Sequence, residues 1–161
     1  MNRIIYTTIV VFTIFLSSCQ SGTNENKEEN TDDEAPQSMI KEADSYDPKR
    51  GEGKFSAENV IIGPLDNAMA AKGEAISGTK CTSCHKLNEE KLVGPGWKGV
   101  TERRTPHWIM NFITNPDPMI DKDPEVQALL EICLVRMPNQ NIADEEARSI
   151  LEFMRKINLS K

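Results

Sequence analysis

The sequence predicts an all-α domain of about four short helices, and three observations carry that expectation. Apolar residues recur at helical spacing, most plainly in Ala147, Ile150, Leu151, Met154 and Ile157. Thr105-Pro106 and Asp123-Pro124 read as helix starts, a capping side chain followed by proline in the first turn, where its missing N–H costs nothing. Aromatic residues are scarce: 5 Phe, 2 Trp and 2 Tyr in 161 residues supply a large all-β core poorly. Short helices with so few large side chains make a weak core alone, so something besides side chains is expected to fill the centre.

The first elements read as an address rather than as part of the fold. Arg3 precedes a run of 13 residues, Ile4 to Leu16, that is apolar apart from three Thr and Tyr6. A membrane-spanning helix needs about 20 apolar residues, so this run is the core of a signal peptide spanning 1–18. It ends in Leu16-Ser17-Ser18-Cys19, which resembles the lipobox of bacterial lipoproteins. The resemblance implies that Cys19 is acylated and becomes the mature N-terminus, anchoring the protein by lipid on the periplasmic side of a bacterial membrane.

Residues 19–47 follow as an acidic tether. Nine acids stand there against Lys27 and Lys41, with almost no large apolar residues, so the segment cannot offset its ordering entropy and is expected to be disordered. Residues 48–161 hold sixteen acids and sixteen bases. The net charge of −6 therefore belongs to the tether, and the neutral domain gives no sign of nucleic-acid binding.

Within 48–161, Val60-Ile61-Ile62 suggests an extended lead-in. Asp66 can cap a first helix running to about Gly78, with Gly73 costing about 1 kcal/mol relative to Ala. Thr105-Pro106 opens a second helix that Asn115-Pro116 stops at about Thr114. Asp123-Pro124 opens a third to about Val135, on which Cys133 shares a face with Val126, Leu129 and Leu130 and reads as a small buried hydrophobe. The last helix begins near Asp144. Its acids Asp144, Glu145 and Glu146 suit a helix N-terminus, yet Ala143 stands where Ser or Thr would cap it.

The chemistry sits between the first two helices, in Cys81-Thr82-Ser83-Cys84-His85. C-x-x-C-H is the attachment signature of c-type haem: two thiols one helical turn apart each bond a vinyl group, and the next side chain reaches the iron. A thioredoxin-like site would need alternating strands and helices, which are missing from the pattern. A zinc site would need a second ligand pair, and Cys133 and His107 are unpaired and unsuitably spaced. His107, at a helix start, reads as solvent-facing.

The segment from about Gly63 to Asn158 resembles a class I monohaem cytochrome c. The matching blocks, in order, are Cys81, Cys84 and His85; Gly94-Pro95-Gly96-Trp97 with Gly99-Val100; Arg104 and Trp108; Asn115-Pro116; and Met137-Pro138 before a terminal amphipathic helix. The resemblance implies one covalent haem c wrapped by the short helices, with His85 on one side of the iron. It implies that the Pro95 carbonyl takes the Nδ1 hydrogen of His85, and that Gly73 marks a close helix crossing. Met137 is the expected sixth ligand, because Pro138 keeps it out of helix; Met119, read as the other loop methionine, is the alternative. Trp97 and Trp108 are either haem contacts or ordinary core, and Arg103 or Arg104 could pair with a propionate. With both axial positions filled by protein, the expected role is a monomeric electron carrier between unidentified redox protein partners, ending at a terminal oxidase or reductase. Lys80 and Lys86 are expected to face an acidic partner. The rival is a haem sensor or peroxidase-like enzyme in which Met137 dissociates.

Overall fold

A computed structural model describes residues 46–160. The signal peptide, Cys19 and nearly all of the acidic tether lie outside the described residues. Among the described residues six helices follow one another: α1 (Asn67–Lys80), α2 (Val100–Arg103), α3 (Pro106–Thr114), α4 (Pro116–Lys122), α5 (Pro124–Cys133) and α6 (Asp144–Leu159). Among the described residues the one β feature is an isolated antiparallel bridge between His85 and Lys91, and no helix is long and apolar enough to cross a membrane.

The expected all-helical domain is what forms, with two helices more than anticipated. Both additions are short. Gly99, at φ 79°, turns the chain into α2. Asn115-Pro116 does end α3, but proline that cannot continue one helix suits the first turn of the next, and α4 starts there. Asp66 caps α1 by accepting from the Met69 N–H at 2.9 Å, and Thr105 caps α3. Helix α5 stops at Cys133, two residues short of Val135, because Leu134 adopts the left-handed conformation at φ 59°.

The core is set by α1 and α6, which cross closely. Ala70, Ala147 and Leu151 are fully buried, and Gly73 lies so near the other helix that a Cβ there would run into the Ser149 carbonyl. A side chain at 73 would push the helices apart, so the helix propensity lost by glycine is offset by close packing. Helix α3 adds Trp108, Ile109, Met110 and Ile113 to the same core, with Phe153 and Met154 of α6.

The lead-in is bound down by long-range polar contacts. Phe55 and Val60 enter the core, and the fully buried Asn111 side chain accepts from the Phe55 N–H while donating to the Arg50 and Phe55 carbonyls. Tyr46 donates to Asp123 at 2.5 Å. Farther along, Glu152 is fully buried on α6, where it accepts from Arg148, from Arg155 at 2.6 Å and from the Asp66 N–H at 3.2 Å. Burial pushes that carboxyl up, but these hydrogen bonds outweigh it and hold it below its ordinary range.

Candidate functional site

The attachment turn grows directly out of α1. Cys81 is the C-cap residue, its N–H bonding the Ser77 carbonyl, and the N–H groups of Cys84 and His85 both return to the Cys81 carbonyl at 3.0 Å. One further turn therefore carries Cys81, Cys84 and His85, all half-buried. Burial pushes the Cys81 thiol above its ordinary value, so it is protonated at neutral pH.

Residues 86–99 then fold back around the imidazole. The N–H groups of Val93 and Gly94 bond the Cys84 carbonyl, and that of Trp97 bonds the Lys86 carbonyl. His85 Nδ1 lies 2.8 Å from the Pro95 carbonyl. A carbonyl can only accept, so Nδ1 carries the hydrogen and Nε2 keeps its lone pair for a metal. Gly94 makes this approach possible, since a Cβ there would sit 2.8 Å from Nδ1 and 3.0 Å from Nε2. Trp97 is buried with its ring centroid 5.9 Å from that of His85, and its other neighbour is Phe153 of α6, met edge-on at 6.4 Å.

The C-terminal end of α6 locks the far end of this loop. Lys98 donates to the Ile157 carbonyl at 3.0 Å and to the Ser160 carbonyl, placing a cation where the last helix carbonyls lack partners. Asn158 accepts from the Gly99 N–H at 2.5 Å and donates to Glu102 at 2.8 Å. No local sequence signal announces the roles of Phe153 and Asn158, because each acts across more than fifty residues.

Trp108 sits in a different setting. It is buried, stacks on Phe112 at 4.9 Å and donates its indole N–H to Asp123 at 2.8 Å. Asp123 also caps α5, accepting from the N–H groups of Glu125 and Val126, and is 1% exposed. Burial raises its carboxyl, but the hydrogen bonds from Tyr46, Trp108 and α5 prevail and keep it below the usual carboxylate range. Arg104 lies over the Trp108 ring at 4.3 Å and pairs with Glu125 at 2.6 Å, while Arg103 donates to the Lys98 carbonyl.

The two methionines read as loop residues part company. Met119 is fully buried within α4, whereas Met137 is half-buried in an irregular segment between α5 and α6 and packs against the core. His107 is half-buried, with Nε2 3.4 Å from the Val60 carbonyl, rather than facing solvent. Cys133 is half-buried too, because α5 buries only Val126. It lines a cleft of about 470 Å³ between α5 and the loop of Pro95, Gly96 and Gly99. Lys80 and Lys86, expected to face a partner, each hold an internal ion pair, with Glu146 at 3.2 Å and Glu90 at 2.6 Å.

The donor set fits haem c. Two thiols without a disulfide stand three residues apart, followed at once by an imidazole whose tautomer is fixed, and a glycine leaves room beside that imidazole. The arrangement suits covalent attachment with iron on His85 Nε2. Comparison with known proteins points the same way. Residues 70–158, more than half of the chain, match the family model for cytochrome c. A solved cytochrome c from Rhodothermus marinus is 35% identical over 66% of this chain and 92% of its own, with a TM-score of 0.63. An engineered form of that cytochrome is 36% identical over 64% of this chain and 90% of its own, with a TM-score of 0.59. A search of curated proteins found no match. This chain belongs to the cytochrome c family, an electron-transfer haem protein with covalently attached haem c.

Proposed function

We propose that this cytochrome is a membrane-tethered, extracytoplasmic carrier of single electrons, with His85 and Met137 as its axial ligands and Cys19 as its lipid anchor. Haem c supplies an iron that changes oxidation state by one electron, and a Met/His pair raises its potential relative to harder ligands. The chain's own task is to keep that ligand set constant. The observation that carries the reading is the 2.8 Å contact from His85 Nδ1 to the Pro95 carbonyl, which would keep one tautomer and one ring orientation while the iron changes oxidation state. Pro138 keeps Met137 out of helix, so its thioether is carried by an irregular stretch rather than by a helix face. Trp97, buried between His85 and Phe153, packs against the imidazole and supports its orientation.

A carrier needs brief contacts with donor and acceptor, so its partners are redox proteins met through small, transient interfaces. The lipobox at Leu16 to Cys19 and the acidic tether support a domain held near the membrane yet free to turn.

Carbon monoxide separates this reading from a sensor or peroxidase-like enzyme. The reduced protein should keep its Soret spectrum under carbon monoxide; prompt formation of an adduct would mean that the iron opens readily and would favour the rival. Separately, mass spectrometry of the detergent-extracted protein should find Cys19 as the first residue and carrying acyl chains. An unmodified N-terminus would overturn the tether.

A further inference from the structure

We propose that Arg136 is a positioning residue for Met137, and that its clamp onto α4 sets how readily the Met137 segment opens. The inference rests on the reading of Met137 as an axial ligand.

The segment after α5 has little to hold it. Leu134 breaks the helix in a left-handed conformation, Pro138 has no N–H to give, and among the described residues no backbone–backbone hydrogen bond ties 135–140. A stretch so free of backbone ties belongs to the part of a protein that opens most easily. Yet Met137 is partly buried against the core.

Arg136 supplies the missing tie. Its Nε donates to Asp117 at 3.0 Å, and its Nη2 donates to Asp121 at 2.9 Å and to the Asp117 backbone carbonyl at 3.3 Å. Asp117 and Asp121 stand four apart on α4 and so share one face, spaced for a single planar guanidinium to bridge. The helix they stand on is itself anchored, with Pro116, Met119 and Ile120 buried. Arg136 is exposed and seated on α4 while Met137, the next residue, is part-buried against the core, so fixing the one limits how far the other can swing out.

A lone exposed ion pair contributes little, but here one fork joins two carboxylates and a carbonyl, and among the described residues the loop's other side-chain hydrogen bond is local, from the Asn141 N–H to Asn139 Oδ1. Being exposed, the clamp is also open to screening by salt.

The test uses oxidised haem-loaded protein with imidazole as the incoming ligand, since imidazole can bind only after Met137 has left. At low salt, Arg136→Gln should speed imidazole binding about five-fold, and Arg136→Lys should restore part of the difference. Replacing both Asp117 and Asp121 by Asn should match Arg136→Gln, and combining all three should add nothing further. Wild type should approach the variants as salt is raised. A merely structural role would lower the unfolding temperature of the variants and leave the imidazole rate below that temperature unchanged; that result overturns the clamp, as does additivity of the three substitutions. The far-red sulfur-to-iron band of wild type keeps the two readings apart. If the band is missing, Met137 is no ligand and the clamp falls with it; if it is present and the rates are equal, only the clamp falls.

Discussion

Residues 81–99 are tied closely among themselves and to α6, whereas 134–142 are tied at few points. The first segment returns its N–H groups to the Cys81, Cys84, Lys86 and Asn88 carbonyls, wedges Trp97 between His85 and Phe153, and ends under Lys98 and Asn158 at the tip of α6. The second hangs between two helix ends, with Arg136 as its polar attachment to α4. The difference teaches where change can occur. A ligand carried by the first segment moves only if α1 and α6 move, while one carried by the second can leave with the fold intact.

The largest effect that would break this comparison comes from removing the covalent attachment. With both Cys81 and Cys84 changed to Ala, the domain should lose most of its helical circular dichroism, because α1 and α6 are then left with a core short of aromatics. A native-like spectrum would show that side chains alone hold the His85 side together. Next is Gly73→Ala, which drives a Cβ into the Ser149 carbonyl, a backbone atom that cannot step aside. We expect a loss of about 3 kcal/mol in denaturant unfolding, even after the gain in helix propensity. An unchanged midpoint would mean that the helices are not in contact there.

Glu152→Gln should cost about 2 kcal/mol at neutral pH, since it removes the charge that two buried-side arginines and the Asp66 N–H share. The pH dependence sharpens this. Because the folded protein holds this carboxyl below its ordinary value of 4.5, its contribution is present above that pH and is lost as pH falls through the folded value. Wild type and variant should therefore converge in acid; a constant difference between them would contradict the triad. The smallest expected change is a gain. Ala143 has no side-chain oxygen to cap α6, although Glu146 already reaches back to its N–H at 3.0 Å. Ala143→Thr supplies the missing half of the capping box and should add about 1 kcal/mol, read as a higher melting temperature.

Features that depend on near neighbours were legible in the sequence. C-x-x-C-H is a local spacing, the Asp66, Thr105 and Asp123 caps are local chemistry, and the acids after Ala143 placed the start of α6 where it is found. Asn115-Pro116 was legible as a stop but not as a start, since the same proline rule serves both. Cys133 shows a further limit: periodicity identifies a helix face but not whether anything covers it, and while Val126 and Leu130 pack on the core, Leu129 and Cys133 line a cleft. The contacts that join distant segments left no pattern to read. Asp123 receives Tyr46 and Trp108, Asn158 receives Gly99, Glu152 receives Asp66, and Lys80 finds Glu146, each over a separation that only the folded chain defines.

A carrier of this kind needs a protein atom to close the iron opposite His85, and we propose the Met137 sulfur for that place. Absorption of the oxidised protein in the far red answers this directly: a weak sulfur-to-iron band should be present in wild type and in Met119→Leu, and absent in Met137→Ala. A wild-type spectrum without that band, or one that Met137→Ala leaves unchanged, would contradict it.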